Sequence, residues 1–230
     1  MDLNSKLSLN RRHSLSLLTA TLAGVAAPAQ AQRMPQEGIH YKRLPQRLPG
    51  TPGKIDVLEF FWYGCPHCYA FEPVLLPWIK ALPANVEFRH VHVDFRANTR
   101  NHQRLYYTLQ AMGVEHLMRA AIFKAIHEQG NLLETPEAMV KLLQPLGLDP
   151  AKFRSTWAAL DVKGLHYSRI AAANRLVTAY NLDGVPAIGI GGVFLTSPGM
   201  ATRGEQMPEV ESGRRALILT DILIKLVPRA

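Results

Sequence analysis

Cysteine is almost missing from this chain: Cys65 and Cys68 are the only two in 230 residues. So sparse a supply excludes a disulfide-stapled scaffold, because a bridge across three positions closes too short a loop to remove much unfolded-state entropy. No second CxxC and no HxxxH accompanies the pair, so half the ligands of a tetrahedral zinc site are absent from the pattern. Long apolar runs are also lacking; the one near the N-terminus is short and diluted by Ser, Thr and Ala, which argues against a stable membrane span. There is no internal repeat and no long Gly/Ser tract, and outside the N-terminal region nothing reads as disordered. Lys and Arg outnumber Asp and Glu by 26 to 18, for a net charge of +8. They are scattered rather than clustered on one stretch, so a nucleic-acid-binding face is not expected.

What is present suits a globular protein. With 47% hydrophobic and 19% charged residues, the chain can bury a full core as one large domain or two small ones. Residues 1–31 read as an export signal: Lys6, Arg11 and Arg12 form a basic start, Leu15 to Ala27 is mildly apolar, and Ala29-Gln30-Ala31 has the small-x-small pattern of a cleavage site. Cleavage is expected after Ala31. A membrane anchor is the alternative reading, and Arg11-Arg12 leaves the twin-arginine and the ordinary secretory routes both open. Without this segment the net charge is about +6, a field suited to anionic membranes or acidic unfolded clients.

After a Pro-rich lead-in with a short edge strand at 39–43, the run Ile55 to Trp62 reads as a central strand covered on both faces. Glu59 is its one carboxylate besides Asp56. In such surroundings it must be paired, face a water-filled gap, or serve a site where its charge matters. Cys65-Pro66-His67-Cys68 follows at the start of a predicted helix reaching Trp78, with a kink expected at Pro73. Val86 to Phe95 reads as a second buried strand, on which His90 and His92 share a face, a weak metal signal. From 98 to 167 the pattern is helical throughout, with a capped start at Thr135-Pro136 and another at Asp149-Pro150. A helix over 162–180, a hairpin around Gly191-Gly192 and a closing helix over 213–227 complete the chain.

A strand, a CxxC helix, a second strand, a helical stretch, a helix, a Pro-led hairpin and a last helix make the thioredoxin-like order of an α/β fold, with an inserted all-helical domain. The sequence resembles the DsbA family of thiol:disulfide oxidoreductases. The matching residues are Val57-Leu58-Glu59-Phe60-Phe61, Cys65-Pro66-His67-Cys68-Tyr69, Phe71-Glu72 and Gly184-Val185-Pro186-Ala187, and the likeness runs from about Ile39 to Leu226. It implies a thioredoxin-like domain from residues 32–97 and 168–230 around a helical domain of residues 98–167. It also implies a redox-active Cys65–Cys68 disulfide and a cis-proline loop at Pro186, with Pro66, Val185 and Pro186 walling the site. The backbone at Val185, held extended by the proline after it, would pair with an incoming client strand.

Cys65, at a helix N-terminus, is expected to be the exposed sulfur that attacks and is attacked. Helix N–H groups, the helix dipole and the imidazole of His67 all favour its thiolate, and Cys68, one turn deeper, resolves the mixed disulfide. Stabilising the reduced form makes the disulfide a strong oxidant; DsbA is itself a standard example of that behaviour, so this direction comes with the resemblance. Glu59 and Glu72 match acidic positions of the family, with Glu59 read either as a proton relay to Cys68 or as a structural paired carboxylate. Where resembling proteins place a lysine near these acids, this chain has His90. The reading that results is a monomeric periplasmic enzyme with no cofactor and no metal. It would oxidise reduced or unfolded exported proteins and be recharged by a membrane quinone-coupled partner of the DsbB type. A reductase or isomerase on the same fold, a CxxC metal-binding module and a non-catalytic peptide-binding chaperone are the rivals.

Overall fold

The computed structural model describes residues 34–95, 99–160 and 165–228. The expected signal segment with its cleavage point after Ala31, the expected domain boundary at 97/98 and the first residues of the helix predicted over 162–180 lie outside them. From Pro35 onward the chain clusters as one compact unit. No described helix is long and apolar enough to cross a membrane.

The near-continuous apolar run 55–61 becomes strand β2 (Ile55–Phe61), buried along almost its whole length. It pairs on one side in parallel with β3 (Val86–His92), from Ile55 opposite Val86 to Phe61 opposite His92. On the other side it pairs antiparallel with β4 (Ala187–Ile190). The hairpin partner β5 (Phe194–Thr196) and the two-residue β1 (Lys42–Arg43) extend the sheet, giving the order β1-β5-β4-β2-β3. Both long strands end earlier than the apolar pattern, which ran on to Trp62 and Phe95. Past Phe61 the chain turns into the cysteine pair, and the last sheet contact there is Val93 N–H to Phe61 O at 2.9 Å. The hairpin turns at Gly191 and Gly192, both at positive φ (60° and 66°), a region L side chains avoid. A Cβ on Gly192 would also lie 2.6 Å from the carbonyl oxygen of Leu48.

Helix α1 (Pro66–Lys80) starts with a proline at its first turn and continues past Pro73 and Pro77. Four helices then follow β3: α2 (Thr99–Met112), α3 (Glu115–His127), α4 (Pro136–Leu143) and α5 (Pro150–Ala159). The predicted caps are in place. Thr135 Oγ1 accepts from the Ala138 N–H at 3.2 Å, and Asp149 Oδ1 accepts from Ala151 and Lys152 at 2.9 and 3.1 Å. Helix α6 (Leu165–Ala179) returns the chain to the sheet. A one-turn α7 (Pro198–Ala201), which the sequence pattern did not suggest, precedes α8 (Glu209–Leu226). Helix α8 begins four residues before the predicted 213, and that brings Glu209 to the cysteine end of α1.

Two apolar layers hold these parts together. One, with Phe60, Phe61, Leu105, Ile122, Phe123 and Leu143, joins the sheet to the helical insertion and includes both cysteines. The other, with Val57, Phe71, Leu75, Ile190 and Leu223, lies between the sheet, α1 and α8. Gly213 lets α8 approach α1 closely, since a Cβ there would meet the ring of Phe71 at 2.7 Å. The cysteine pair therefore sits where the helical insertion meets the sheet.

Candidate active site

Cys65 occupies the position just before the first turn of α1, with extended backbone angles (φ −85°, ψ 116°). Its N–H donates to Trp62 O at 3.0 Å. Gly64 lies flat against the Trp62 indole, where a Cβ would come within 2.4 Å of the ring. Trp62 in turn donates from Nε1 to His102 Nδ1 at 2.9 Å, so the turn leading into the cysteines is anchored in α2. Pro66, exposed, has no N–H to leave unpaired. Both cysteines are thiols here, and Cys65 is not the exposed sulfur expected: 5% of its surface is exposed and none of Cys68, because both pack into the apolar layer between sheet and helices.

The two sulfurs hold their protons very unequally. Cys65 is lowered from its ordinary 9.0 to about 7, first by a hydrogen bond from the Cys68 thiol. Burial opposes this, while the backbone N–H groups of Cys68 and His67 and the charge of His67 assist it. The order differs from the one expected from sequence, which put the helix end and His67 first. The Cys68 thiol is pushed well above 9.0 by burial, by its bond to Cys65 and by the charges of Cys65 and Glu59.

Val185 and Pro186, far away in sequence, are joined by a cis peptide bond. The Cys65 thiol donates to Val185 O at 3.4 Å across 120 positions of sequence. Pro186 is buried and Val185 half-buried. Beyond them runs a groove of about 680 Å³, lined in part by Leu195, Met200, Met207 and His67. His67 is exposed and pairs through Nδ1 with Glu209 Oε1 at 2.8 Å, an acidic partner that the pattern around CPHC did not disclose.

Glu59 lies fully buried in the middle of β2, and its charge is among the causes that raise Cys68. Its Oε2 contacts His90 Nδ1, directly across the β2–β3 ladder, at 2.5 Å. The same oxygen accepts from Arg119 Nη2 at 3.2 Å. Its Oε1 is the buried side-chain oxygen that has no hydrogen-bond partner among the described residues. Arg119, on α3, also donates from Nε and Nη2 to both oxygens of Glu72, at 2.9 and 2.7 Å, and from Nη1 to Glu115 at 3.3 Å. Its guanidinium lies 4.1 Å from the centre of the Phe61 ring. Burial works against this cation, but Glu59, Glu72 and Glu115 outweigh it and keep it charged. Glu72 is raised by burial against the pull of Arg119. Glu115 accepts a further bond from the Tyr63 hydroxyl at 2.6 Å.

His92 does not join His90 in a common task. It is buried and held neutral by that burial, accepting from the Tyr63 N–H at 3.2 Å and donating to Val93 O at 3.0 Å. Among the described residues no group of three or more His, Cys, Asp or Glu is placed to hold a metal.

Sequence reasoning named Cys65, Pro66, His67, Cys68, Val185 and Pro186, and the fold brings Val185 and Pro186 to the CPHC turn, with the charge of Glu59 felt at Cys68. It missed Arg119, Glu115, Tyr63 and Glu209. A signal for Arg119 was available. The three-to-four spacing that puts Ile122 and Ile126 on the buried stripe of α3 places Arg119 on it as well, four residues after Glu115.

A sulfur that ionises near neutrality, next to one that does not, is what exchange between thiols and disulfides requires. Carried on a thioredoxin-like sheet with a helical insertion, the pair makes this protein a thiol:disulfide oxidoreductase. Residues 56–207 match the family model of the DSBA-like thioredoxin domain. The thiol:disulfide interchange protein DsbA of Pseudomonas aeruginosa is 40% identical over 191 residues, covering 83% of this chain and 87% of that one. The protein of the same name from Azotobacter vinelandii is 39% identical over 202 residues, covering 84% and 92%. The crystal structure of Pseudomonas aeruginosa DsbA superposes with a TM-score of 0.73 at 37% identity, covering 82% of this chain and 92% of that one. The chain belongs to the DsbA family.

Proposed function

We propose that the protein donates the Cys65–Cys68 disulfide to reduced proteins exported to the periplasm. The observation that carries this reading is the unequal pair beside Val185 O: a Cys65 that ionises at about 7 next to a Cys68 held well above 9. A client thiolate attacks Cys65 Sγ, the Cys65–Cys68 bond breaks, and Cys68 leaves as a thiolate that takes up a proton. A second client thiolate then attacks the client sulfur of the mixed disulfide, forming the client disulfide and releasing Cys65 as a thiolate. Two electrons pass from client to enzyme. The stabilised Cys65 thiolate makes it a good leaving group and the reduced enzyme a favoured product.

The half-buried Val185 backbone and the groove beyond Pro186 support a docking place for an extended client segment, with Pro66 and His67 as its near rim. His67 adds positive charge beside Cys65. Glu59 acts as the proton acceptor for Cys68 when the disulfide is remade, a role its unpartnered Oε1 supports. The enzyme works as a monomer without a cofactor, after removal of residues 1–31, with its helical domain spanning residues 98–167. A quinone-coupled membrane partner of the DsbB type returns it to the disulfide form.

The test is a pair of variants with a reduced, unfolded client protein. Cys65→Ser abolishes client oxidation, whereas Cys68→Ser accumulates a mixed disulfide with the client that a thiol reductant releases. Full oxidation by Cys65→Ser would overturn the enzymatic role of the pair. Equilibration of the wild-type pair with glutathione separates oxidase from reductase: a potential near that of thioredoxin, roughly −270 mV, would favour the reductase.

A further inference from the structure

One side chain of the helical insertion ties together the carboxylates near the cysteine pair. Arg119 is contributed by α3, outside the sheet, yet it bonds carboxylates from three elements: Glu59 on β2, Glu72 on α1 and Glu115 on its own helix. Both oxygens of Glu72 are taken by the guanidinium. Glu115 is shared with Tyr63. Among the described residues, Glu59 Oε1 is the buried carboxylate oxygen of this cluster that no group bonds, and the charge of Glu59 is felt at Cys68.

We propose that Arg119 is a positioning residue for disulfide formation: it balances the charge of Glu59 and holds Oε2, leaving Oε1 free to accept the Cys68 proton. The proposal rests on the reading of Glu59 as that acceptor.

In the step concerned, Cys65 is already bonded to one sulfur of an oxidant disulfide. Cys68 gives its thiol proton to Glu59 Oε1, and its sulfur attacks Cys65 Sγ. The Cys65–Cys68 bond forms, the bond to the oxidant breaks, and the oxidant's sulfur leaves as a thiolate. Over this exchange and the one that formed the mixed disulfide, Cys65 and Cys68 together lose two electrons and the oxidant disulfide gains them; the proton later leaves Glu59 for solvent.

The groups around Glu59 show why Arg119 matters. Among the described residues, β3 contributes His90, α1 Cys68 and Glu72, and α3 Arg119 and Glu115, with the Tyr63 hydroxyl on Glu115 and the Tyr106 hydroxyl within reach of the charge of Glu59. Arg119 is the only permanent cation in this set, against three carboxylates. Its loss leaves buried carboxylates uncompensated, and a buried carboxylate in that position takes up a proton instead. A Glu59 that already carries a proton cannot accept one from Cys68. It also no longer repels a thiolate at the cysteine pair, so the reduced form gains.

The experiment uses the whole protein in three single variants, Arg119→Met, Arg119→Lys and Glu59→Gln, and in the double variant Arg119→Met/Glu59→Gln. Oxidised glutathione is the oxidant, at pH 8, above the ordinary imidazole range. Two quantities are read: the rate at which the glutathione mixed disulfide of Cys65 closes to Cys65–Cys68, and the dithiol/disulfide equilibrium against glutathione. Glu59→Gln slows closure by about a hundredfold, the low end of what a general base contributes. Arg119→Met slows it by a similar factor and shifts the equilibrium toward the dithiol. Arg119→Lys, which keeps the charge, restores most of the rate. In the Glu59→Gln background Arg119→Met adds little to either quantity, whereas a merely structural role would act equally in both backgrounds. Full additivity, or a wild-type rate in Arg119→Met alongside a slow Glu59→Gln, overturns the role of Arg119. A wild-type rate in Glu59→Gln instead removes Glu59 as acceptor and the proposal with it. If Arg119→Met does not fold, Arg119→Lys and Arg119→Gln give the same comparison.

Discussion

At the scale of single residues the site depends on proton affinities set by neighbours. Cys65 ionises near 7 because the Cys68 thiol donates to it and two backbone N–H groups face it. Its alkylation by iodoacetamide should therefore rise through a midpoint near pH 7, whereas an unhindered thiol titrates near 8.5. The same shift affects stability. A thiol whose folded value is lowered favours the native state above its unfolded value, and that benefit is lost as pH falls through the folded value. The stability of the reduced protein relative to the disulfide form should accordingly increase between about pH 7 and pH 8.5, as followed by urea denaturation. Above that range the buried Cys68, raised instead of lowered, pulls the other way. A flat difference across the interval would mean that Cys65 is an ordinary thiol in solution.

At the scale of elements, the parts far from the sulfurs are built by capping and patterning, and they should respond as such. Asp149 satisfies two N–H groups at the start of α5, and replacing an N-cap carboxylate with Ala costs on the order of 1 kcal/mol. Asp149→Ala should therefore lower the urea midpoint while leaving the glutathione equilibrium unchanged. Thr135→Ala at α4 should do the same by a similar amount. A changed redox equilibrium in either variant would show that the insertion is coupled to the site by more than Arg119. Element boundaries are also where pattern and structure part. Helix α8 begins at Glu209 rather than 213, and those four residues carry the carboxylate that meets His67.

At the scale of the whole molecule, the helical insertion and the sheet are joined by an apolar layer and, within it, by one charged cluster. Arg119 has 4% of its surface exposed and Glu59 none. Removing one partner of a buried ion pair costs about 3–5 kcal/mol, because the other charge is left uncompensated. Arg119→Met should therefore lose on that order in urea denaturation of both the reduced and the disulfide forms. A loss below about 1 kcal/mol, the range of exposed pairs, would mean that water reaches the cluster. This cost is separate from the redox effect of the same substitution, which appears in the folded protein's equilibrium with glutathione.

The local signals in the chain were sufficient for most of the architecture. An apolar run of seven to ten residues between turn signals reads as a buried strand, a Thr or Asp before Pro reads as a capped helix start, and Gly-Gly between short apolar runs reads as a hairpin. Each of these depends on neighbours within a few residues. CPHC at a helix start singled out the cysteine pair for the same reason, and the resemblance to a family supplied the distant Val185-Pro186. Only tertiary structure decided which charges meet. Glu59 finds His90 across a strand ladder and Arg119 sixty positions away, and His67 finds Glu209 across 142. Such pairings depend on which faces pack together, and no local periodicity encodes them. The sequence by itself thus determined most of the elements and set the two sulfurs one helical turn from each other. The packing of α3 against β2 and α1 decided the electrostatic setting of those sulfurs, because a buried charge is stable only where the fold brings its partner to it.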